Sequence, residues 1–269
     1  MIRVLVLPAA CMHGAFVAGV LAGFENVGIT ASYFKAIVGA SAGGWNGAYY
    51  LTGDIQTKAW RIWCVHIPKG FLCWQWCRPY ADLAYLDHVT RREEPFSKRA
   101  LRKSKTQLYV VVTDLEEHRP SYVHLNVQQD PIRYLVAGSA MSILSPPQEI
   151  EGRQYGDGGL IDAVPLHFAE GLGADEIWLV LNLPVGHRHS MMAWWGMSWL
   201  ASLPAERALL AASASARNAV LSEIEQRSDL VVIRPSNQLP ASCFTRNAEK
   251  TRLMYELGKK AAIAQAPRY

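Results

Sequence analysis

Lys35-Ala36-Ile37-Val38-Gly39-Ala40-Ser41-Ala42-Gly43 is the stretch on which the fold turns. Lys35–Val38 reads as a short strand. Its apolar residues run without alternation, as in strands buried on both faces. Gly43 to Leu51 reads as a helix. Between them lies Gly39-Ala40-Ser41-Ala42-Gly43, a G-x-S-x-G sequence. A serine at a sharp strand-to-helix turn projects its hydroxyl clear of the sheet, and its neighbours must be small because strand and helix backbones crowd there. The helix N-terminus adds a partial positive charge that favours developing negative charge nearby. Ser41 is thus a candidate nucleophile, although the pentapeptide alone is a weak signal.

Working outward, the same type of run recurs at Val4–Leu7, Leu108–Thr113, Glu176–Leu181 and Leu230–Ile233. Helical segments separate them. Gly14–Phe24 places Phe16, Val20 and Phe24 on one face. Asp130-Pro131 predicts a helix start with Asp130 as cap and proline in the first turn. A third helix is expected from Pro165 to Gly171 or Gly173. Alternation of this kind implies an α/β domain: a three-layer α/β/α arrangement around a mostly parallel sheet. The apolar N-terminal run also resembles a signal peptide, but Pro8 breaks it early and strand–loop–helix is the better reading. With 269 residues, one domain over 1–269 suffices. Its motifs lie within 4–181, and 182–269 is a helical C-terminal part with one further strand.

Charged residues make up 19% of the chain and the net charge is +4, too diffuse for a nucleic-acid stripe. No nucleic-acid partner is expected. Five irregularly spaced cysteines argue against a disulfide framework and are read as reduced and mostly buried. No ligand cluster suggests a metal or cofactor, and none is expected. Two segments concentrate large apolar side chains: Trp60 to Tyr85, with Trp60, Trp63, Trp74 and Trp76, and Met191 to Leu200, with Trp194, Trp195 and Trp199. Core or cap packing explains both, as does an apolar mouth or a membrane-facing surface. The basic run Ser97 to Lys105 reads as a solvated helix face. A cytoplasmic location, peripheral to a membrane, is the expectation.

A serine hydroxyl needs a base. His167, His187 and His189 can be drawn as the last member of a triad. However, only one strand–helix unit precedes Ser41, which fits an α/β-hydrolase poorly. The other option is Tyr155-Gly156-Asp157-Gly158-Gly159. By itself Asp-Gly is a turn dipeptide. Beside Ser41 it offers a carboxylate on a backbone bare enough to approach the elbow closely. In a dry site with a raised pKa, that carboxylate is able to take the serine proton directly.

Taken together, these residues resemble the patatin-like phospholipase family, which joins a G-x-S-x-G elbow near the N-terminus to a later D-G-[GA] motif. Ala18-Gly19-Val20-Leu21, the segment from Ser139-Ala140 to Pro146-Pro147, and Asp162-Ala163-Val164-Pro165 extend the resemblance over roughly Val4 to Leu181. It implies a patatin-like fold and a metal-independent serine acyl hydrolase, a phospholipase or lipid esterase. Ser41 would be the nucleophile, Asp157 the base, and a lipid or other acyl ester the substrate. The motif glycines are Gly39, Gly43, Gly158 and Gly159. The family's glycine-rich oxyanion loop corresponds to Ala9-Ala10-Cys11-Met12-His13-Gly14, where only the last glycine is kept. Ala10, Cys11, His13 and Gly14 are the candidate oxyanion-hole residues, with donors from Ala10 and Cys11. A side chain at a positive φ there costs about 1–2 kcal/mol. Two alternatives stand beside hydrolysis: a catalytically impaired lipid-binding protein of this fold, and an acyltransferase or thioesterase using the same pair.

Overall fold

The computed structural model describes residues 1–75, 78–141, 143–201 and 203–267. Trp76 and Cys77, from the tryptophan-rich stretch, lie outside the described residues.

The first half of the chain alternates as expected: β1 (Arg3–Leu7), α1 (Gly14–Asn26), β2 (Ala36–Ala40) and α2 (Ala42–Leu51). The tryptophan-rich stretch follows, with wide helical turns at Ile55–Ala59 and Ile62–Phe71 and the hairpin β3 (Leu72–Gln75) and β4 (Arg78–Ala81). Next come α3 (Leu83–His88), α4 (Lys98–Lys103), β5 (Gln107–Asp114), β6 (Arg119–His124), α5 (Pro131–Ala137), β7 (Gln148–Ile150) and β8 (Arg153–Asp157). The chain then runs through α6 (Leu166–Gly171), β9 (Glu176–Val180), α7 (Met191–Ser198), α8 (Pro204–Gln226), β10 (Val231–Ile233) and α9 (Ala248–Gln265).

The sheet order is β10-β9-β1-β2-β5-β8-β7, and β6 also pairs with β5. From β10 to β5 neighbouring strands are parallel, whereas β6 and β8 run antiparallel to β5, and β7 antiparallel to β8. Strand alternation divides the core in two. Leu5, Leu7 and Ile37 face one cluster with Phe16 and Phe24 of α1 and with Met254 and Tyr255 of α9. Val4, Val6 and Val38 face a second with Leu166 of α6 and Leu221 and Ile224 of α8. Helices therefore cover both faces of a mostly parallel sheet.

The pairing of β5 governs the site. Its residues Tyr109–Val111 pair with both β2 and β6, and Val112–Asp114 with both β6 and β8. A strand has two edges, so β2 and β8 share one edge of β5 and meet end to end along it. Ala40 lies opposite Val111, and Asp157 opposite Val112. Successive positions of one strand therefore hold the residue before Ser41 and Asp157 itself.

Three expectations need correction. Asp130 does not cap α5 with its side chain; its carboxylate takes Arg91 and Lys98 instead, charged donors that compete better than a backbone amide. Among the described cysteines only Cys64 is fully buried, while Cys11, Cys73 and Cys243 are half-buried; all four are free thiols. Packing explains only part of α7: Trp194 and Met197 rest against Leu115, Leu160 and Leu210, while Met191, Met192, Trp195 and Trp199 are exposed. The basic run is indeed an outward helix, α4, with Ser97 capping Ala100 and Lys98 reaching Asp130.

Candidate functional site

Ser41 sits between β2 and α2 with φ 50° and ψ −121°, a left-handed conformation rare for a residue with a side chain. The surrounding packing enforces it. A Cβ on Gly39 would lie 2.6 Å from the Gly43 carbonyl carbon, and one on Gly43 would lie 2.5 Å from Leu7 O. Neither neighbour is a flexible side chain, so both positions of the motif must stay bare.

Asp157 ends β8. Thr113 Oγ1 donates to its carbonyl at 2.7 Å, and the Asp157 amide donates to Ala140 O at 2.9 Å, so the backbone is held on both sides. The chain then passes directly over β5, where a Cβ on Gly158 would lie 2.2 Å from Val111 O. Ser41 Oγ donates to Asp157 Oδ2 at 2.7 Å, and the Gly159 amide donates to Oδ1 at 2.6 Å. Serine and aspartate are 8% and 6% exposed, so little water screens the pair. Burial raises the Asp157 pKa above the usual carboxylate range, although the bonds from Ser41 and Gly159 and the charge of Arg217 oppose the shift. The structure thus brings Ser41 and Asp157 into contact. His167 pairs with Glu223 at the surface, and His187 packs edge-on against His189. His189 borders the cavity, but burial, Arg217 and His187 push its pKa down to about 4.

The loop opposite the elbow has one strained residue, Cys11, at φ 44°. Its neighbours' amides are committed: Met12 N–H to Cys243 O, His13 N–H to Ala10 O, and Gly14 N–H to Cys11 O and Met12 O. Among the described residues, the amides of Ala10 and Cys11 donate to no backbone carbonyl. The amides of His13 and Gly14, also expected at the oxyanion hole, thus already have partners. The His13 ring is buried, with Nε2 2.8 Å from Ala241 O and Nδ1 3.2 Å from Asn182 Nδ2. A Cβ on Gly14 would strike the Trp63 ring at 2.3 Å. Asn46 ties this corner together, donating to Gly14 O and accepting from Trp63 Nε1.

Two lobes of a cavity meet at Ser41 and Asp157. The first is narrow, about 50 Å³, and almost wholly apolar, walled by Trp45, Ile62, Trp63, Ile67, Phe71 and Leu144. The tryptophan-rich stretch, read as packing or an apolar mouth, builds much of it. The second lobe, about 240 Å³, adds polar groups: Asn182, His189 and Arg217, beside Trp194 and Met197 of α7. Arg217 Nη2 donates to Gly159 O at 2.6 Å and Nε to Ser213 Oγ at 3.1 Å, and its guanidinium lies 4.8 Å from the Trp194 ring centroid. Burial lowers its pKa, while Asp157, Asp162 and the nearby cysteines oppose this. Sequence reasoning missed Arg217 because no motif surrounds it. The available signal is an arginine on the face of α8 that buries Leu210, Ser213, Ala214 and Leu221. Among the described residues, His167, Glu170 and Glu223 place potential metal ligands within 4.8 Å of one another. Arg227 already pairs with both carboxylates.

The family model for patatin-like phospholipases matches residues 5–170. Lysophospholipase nte1 of Aspergillus terreus is 28% identical over 206 residues, covering 71% of this chain and 13% of the relative. The chain thus spans a small fraction of that protein's length. VipD from Legionella pneumophila matches in fold with a TM-score of 0.61 at 11% identity, over 98% of this chain and 66% of that one. Since the model match spans more than half of the chain, from β1 through the elbow and Asp157 to α6, the protein belongs to the patatin-like phospholipase family.

Proposed function

We propose that this protein is a metal-independent serine acyl hydrolase acting on a lipid ester, with Ser41 as nucleophile and Asp157 as base. The observation that carries the reading is the 2.7 Å bond from Ser41 Oγ to Asp157 Oδ2 at the junction of an apolar and a polar lobe. The acyl chain occupies the apolar lobe. Ser41 Oγ attacks the ester carbonyl as its proton passes to Asp157, whose raised pKa suits proton acceptance nearer neutrality. The free amides of Ala10 and Cys11 hold the oxyanion. Asp157 returns the proton to the leaving alcohol, then activates the water that releases the acyl group. Arg217 gives a phosphate-bearing leaving group a cation in the second lobe. Membership in the family and the lysophospholipase name of the fungal relative support a lipid substrate.

A fluorophosphonate probe is expected to label the wild type and not Ser41→Ala. Equal labelling of the two would remove Ser41 from the chemistry. The strain at Cys11 favours a second reading, a lipid-binding protein with impaired hydrolysis. Turnover of a short-chain nitrophenyl ester that disappears in Ser41→Ala eliminates it. Product analysis with and without an alcohol acceptor separates hydrolysis from acyl transfer.

Residues 1–269 are read as one domain, peripheral to a membrane. The docking of α9 on α1 supports the first point. For the second, Trp194 and Met197 of α7 border the cavity while Trp195 and Trp199 project from the same helix into solvent. Among the described residues no helix is long and apolar enough to cross a membrane. The combination Trp195→Ala with Trp199→Ala is expected to weaken co-sedimentation with phosphatidylcholine vesicles by about tenfold or more, because burying one large apolar side chain is worth about 1.5–3 kcal/mol. Unchanged co-sedimentation would end the membrane assignment.

A further inference from the structure

Beside the Ser41–Asp157 pair lies a second nucleophilic cluster that hydrolysis does not use. Cys243 comes from the loop before α9, and Cys11 from the strained turn after β1. The Met12 amide donates to Cys243 O at 3.2 Å, which fixes the two segments backbone to backbone. Both residues border the two lobes of the cavity, so the two side chains share one space beside Ser41 and Asp157. Behind Cys243 stands His13, with Nδ1 3.8 Å from Cys243 Sγ. His13 Nε2 lies 2.8 Å from Ala241 O, a carbonyl that only accepts, so Nε2 carries the proton and Nδ1 presents its lone pair toward Cys243 Sγ and Asn182 Nδ2.

We infer that Cys243 is a peroxide-reactive thiolate and that Cys11 resolves its oxidised form to a Cys11–Cys243 disulfide at the mouth of the cavity. This site does not depend on the Ser41 chemistry. The electrostatics agree with the geometry. The bond from Cys11 lowers the Cys243 pKa against the effect of burial, aided by His13 and Arg217. The same bond raises that of Cys11, as do burial and the charge of Asp157, so the two thiols are unequal. Burial works against a charged His13, but its contact with Cys243 outweighs this and raises the imidazole pKa. A thiolate–imidazolium pair with an adjacent neutral thiol is the arrangement of a redox-active couple.

The chemistry needs a hydroperoxide as oxidant. The Cys243 sulfur attacks its terminal oxygen and the O–O bond breaks. The departing alkoxide takes the proton that the Cys243 thiol had given to His13 Nδ1, leaving an alcohol, a neutral imidazole and a Cys243 sulfenic acid. The sulfur has lost two electrons and the peroxide has gained them. Cys11 sulfur then attacks the sulfenic sulfur. The S–S bond forms, the S–O bond breaks, and hydroxide leaves with the Cys11 proton as water.

The test uses the full reduced chain, treated with equimolar hydrogen peroxide, alkylated and mapped by mass spectrometry. A linked Cys11–Cys243 peptide, lighter by two hydrogens than its reduced parts, is expected. In Cys11→Ser the sulfenic acid is expected to persist at Cys243 and be trapped by dimedone. In Cys243→Ser, Cys11 is expected to stay reduced at that dose. Cys243 is expected to react about tenfold or more faster than Cys64 and Cys73. A bridge from Cys243 to Cys73 or Cys77, no trapping at Cys243 in Cys11→Ser, or oxidation of Cys243 no faster than of Cys73 would overturn the inference. None of these readouts uses ester hydrolysis, so a failure here is distinct from a failure of the hydrolase assignment.

Discussion

Asp157→Asn is expected to lower kcat/KM for ester hydrolysis by about 10²–10⁴-fold, the usual contribution of a general base, while raising the melting temperature at neutral pH. Asparagine matches aspartate in shape. Its oxygen still accepts from the Gly159 amide, and its nitrogen meets Ser41 Oγ, but it accepts no proton. The stability gain follows from the direction of the pKa shift. Burial raises the folded-state pKa of Asp157 above its unfolded value, so the folded chain holds the proton more tightly. That contribution is fully present below the unfolded pKa, about 3.9, and is lost as pH rises through the folded pKa. At neutral pH the wild type therefore carries a disfavoured buried anion, which asparagine removes. Melts at neutral pH and below pH ~4 test this, since the variant's advantage disappears at the acid end. The same shift puts the acid limb of the wild-type pH–rate profile above the ordinary aspartate range. Full activity in Asp157→Asn would take the carboxylate out of the reaction.

Gly258→Ala is expected to destabilise the fold by about 1–3 kcal/mol, the usual scale of overpacking, although alanine is the better helix former by about 1 kcal/mol. The reason is the contact between α1 and α9. A Cβ on Gly258 would lie 2.1 Å from Phe16 O and 2.8 Å from Val20 N, and one on Gly19 would lie 2.0 Å from Tyr255 O. These neighbours are helix backbone and cannot swing aside, so the helices must part and open the cluster around Phe16, Met254 and Tyr255. Gly196 in α7 provides the control, because a Cβ there meets nothing within 4 Å. Gly196→Ala is expected to be neutral or to stabilise by up to about 1 kcal/mol. Urea unfolding of both variants measures the contrast. Equal midpoints would mean that the α1–α9 contact yields freely.

The parallel half of the sheet was legible in the sequence because strands covered on both faces are apolar throughout. Val4–Leu7 and Ala36–Val38 announce themselves without partners. The antiparallel half was not. Arg119–His124 is half-buried and polar, with Pro120 in its run, and Arg153–Asp157 ends in a dipeptide that favours turns. What makes β8 a strand is the free edge that β5 leaves beyond Val111, a property of residues some forty positions away. The wide helical turns at Ile62–Phe71 were likewise not anticipated. At the site, Ser41 carries a local signal in its crowded glycines, whereas Asp157 stood as one option beside the histidines until the family resemblance favoured it. Arg217 and Cys243 reach the cavity only through the packing of α8 and the loop before α9. Single residues placed by tertiary contact leave no periodicity to read. In the loop from Ala9 to Gly14 the expected donors were Ala10 and Cys11, and the fold commits the amides of Met12, His13 and Gly14 to backbone carbonyls instead.

The shared edge of β5 also imposes an order in time. Ser41 and Asp157 are 116 positions apart, so at about 5–20 residues per second a ribosome needs roughly 6–23 s to deliver the second after the first. During that interval β2 and its elbow exist without the strand that completes them, and the hydroxyl has no carboxylate to receive its proton. If Asp157 is the base of Ser41, as proposed, a chain interrupted anywhere before β8 carries a serine without its base. On the proposed mechanism, ester hydrolysis thus waits for the sheet to close over β5, and a nascent chain is unarmed until then.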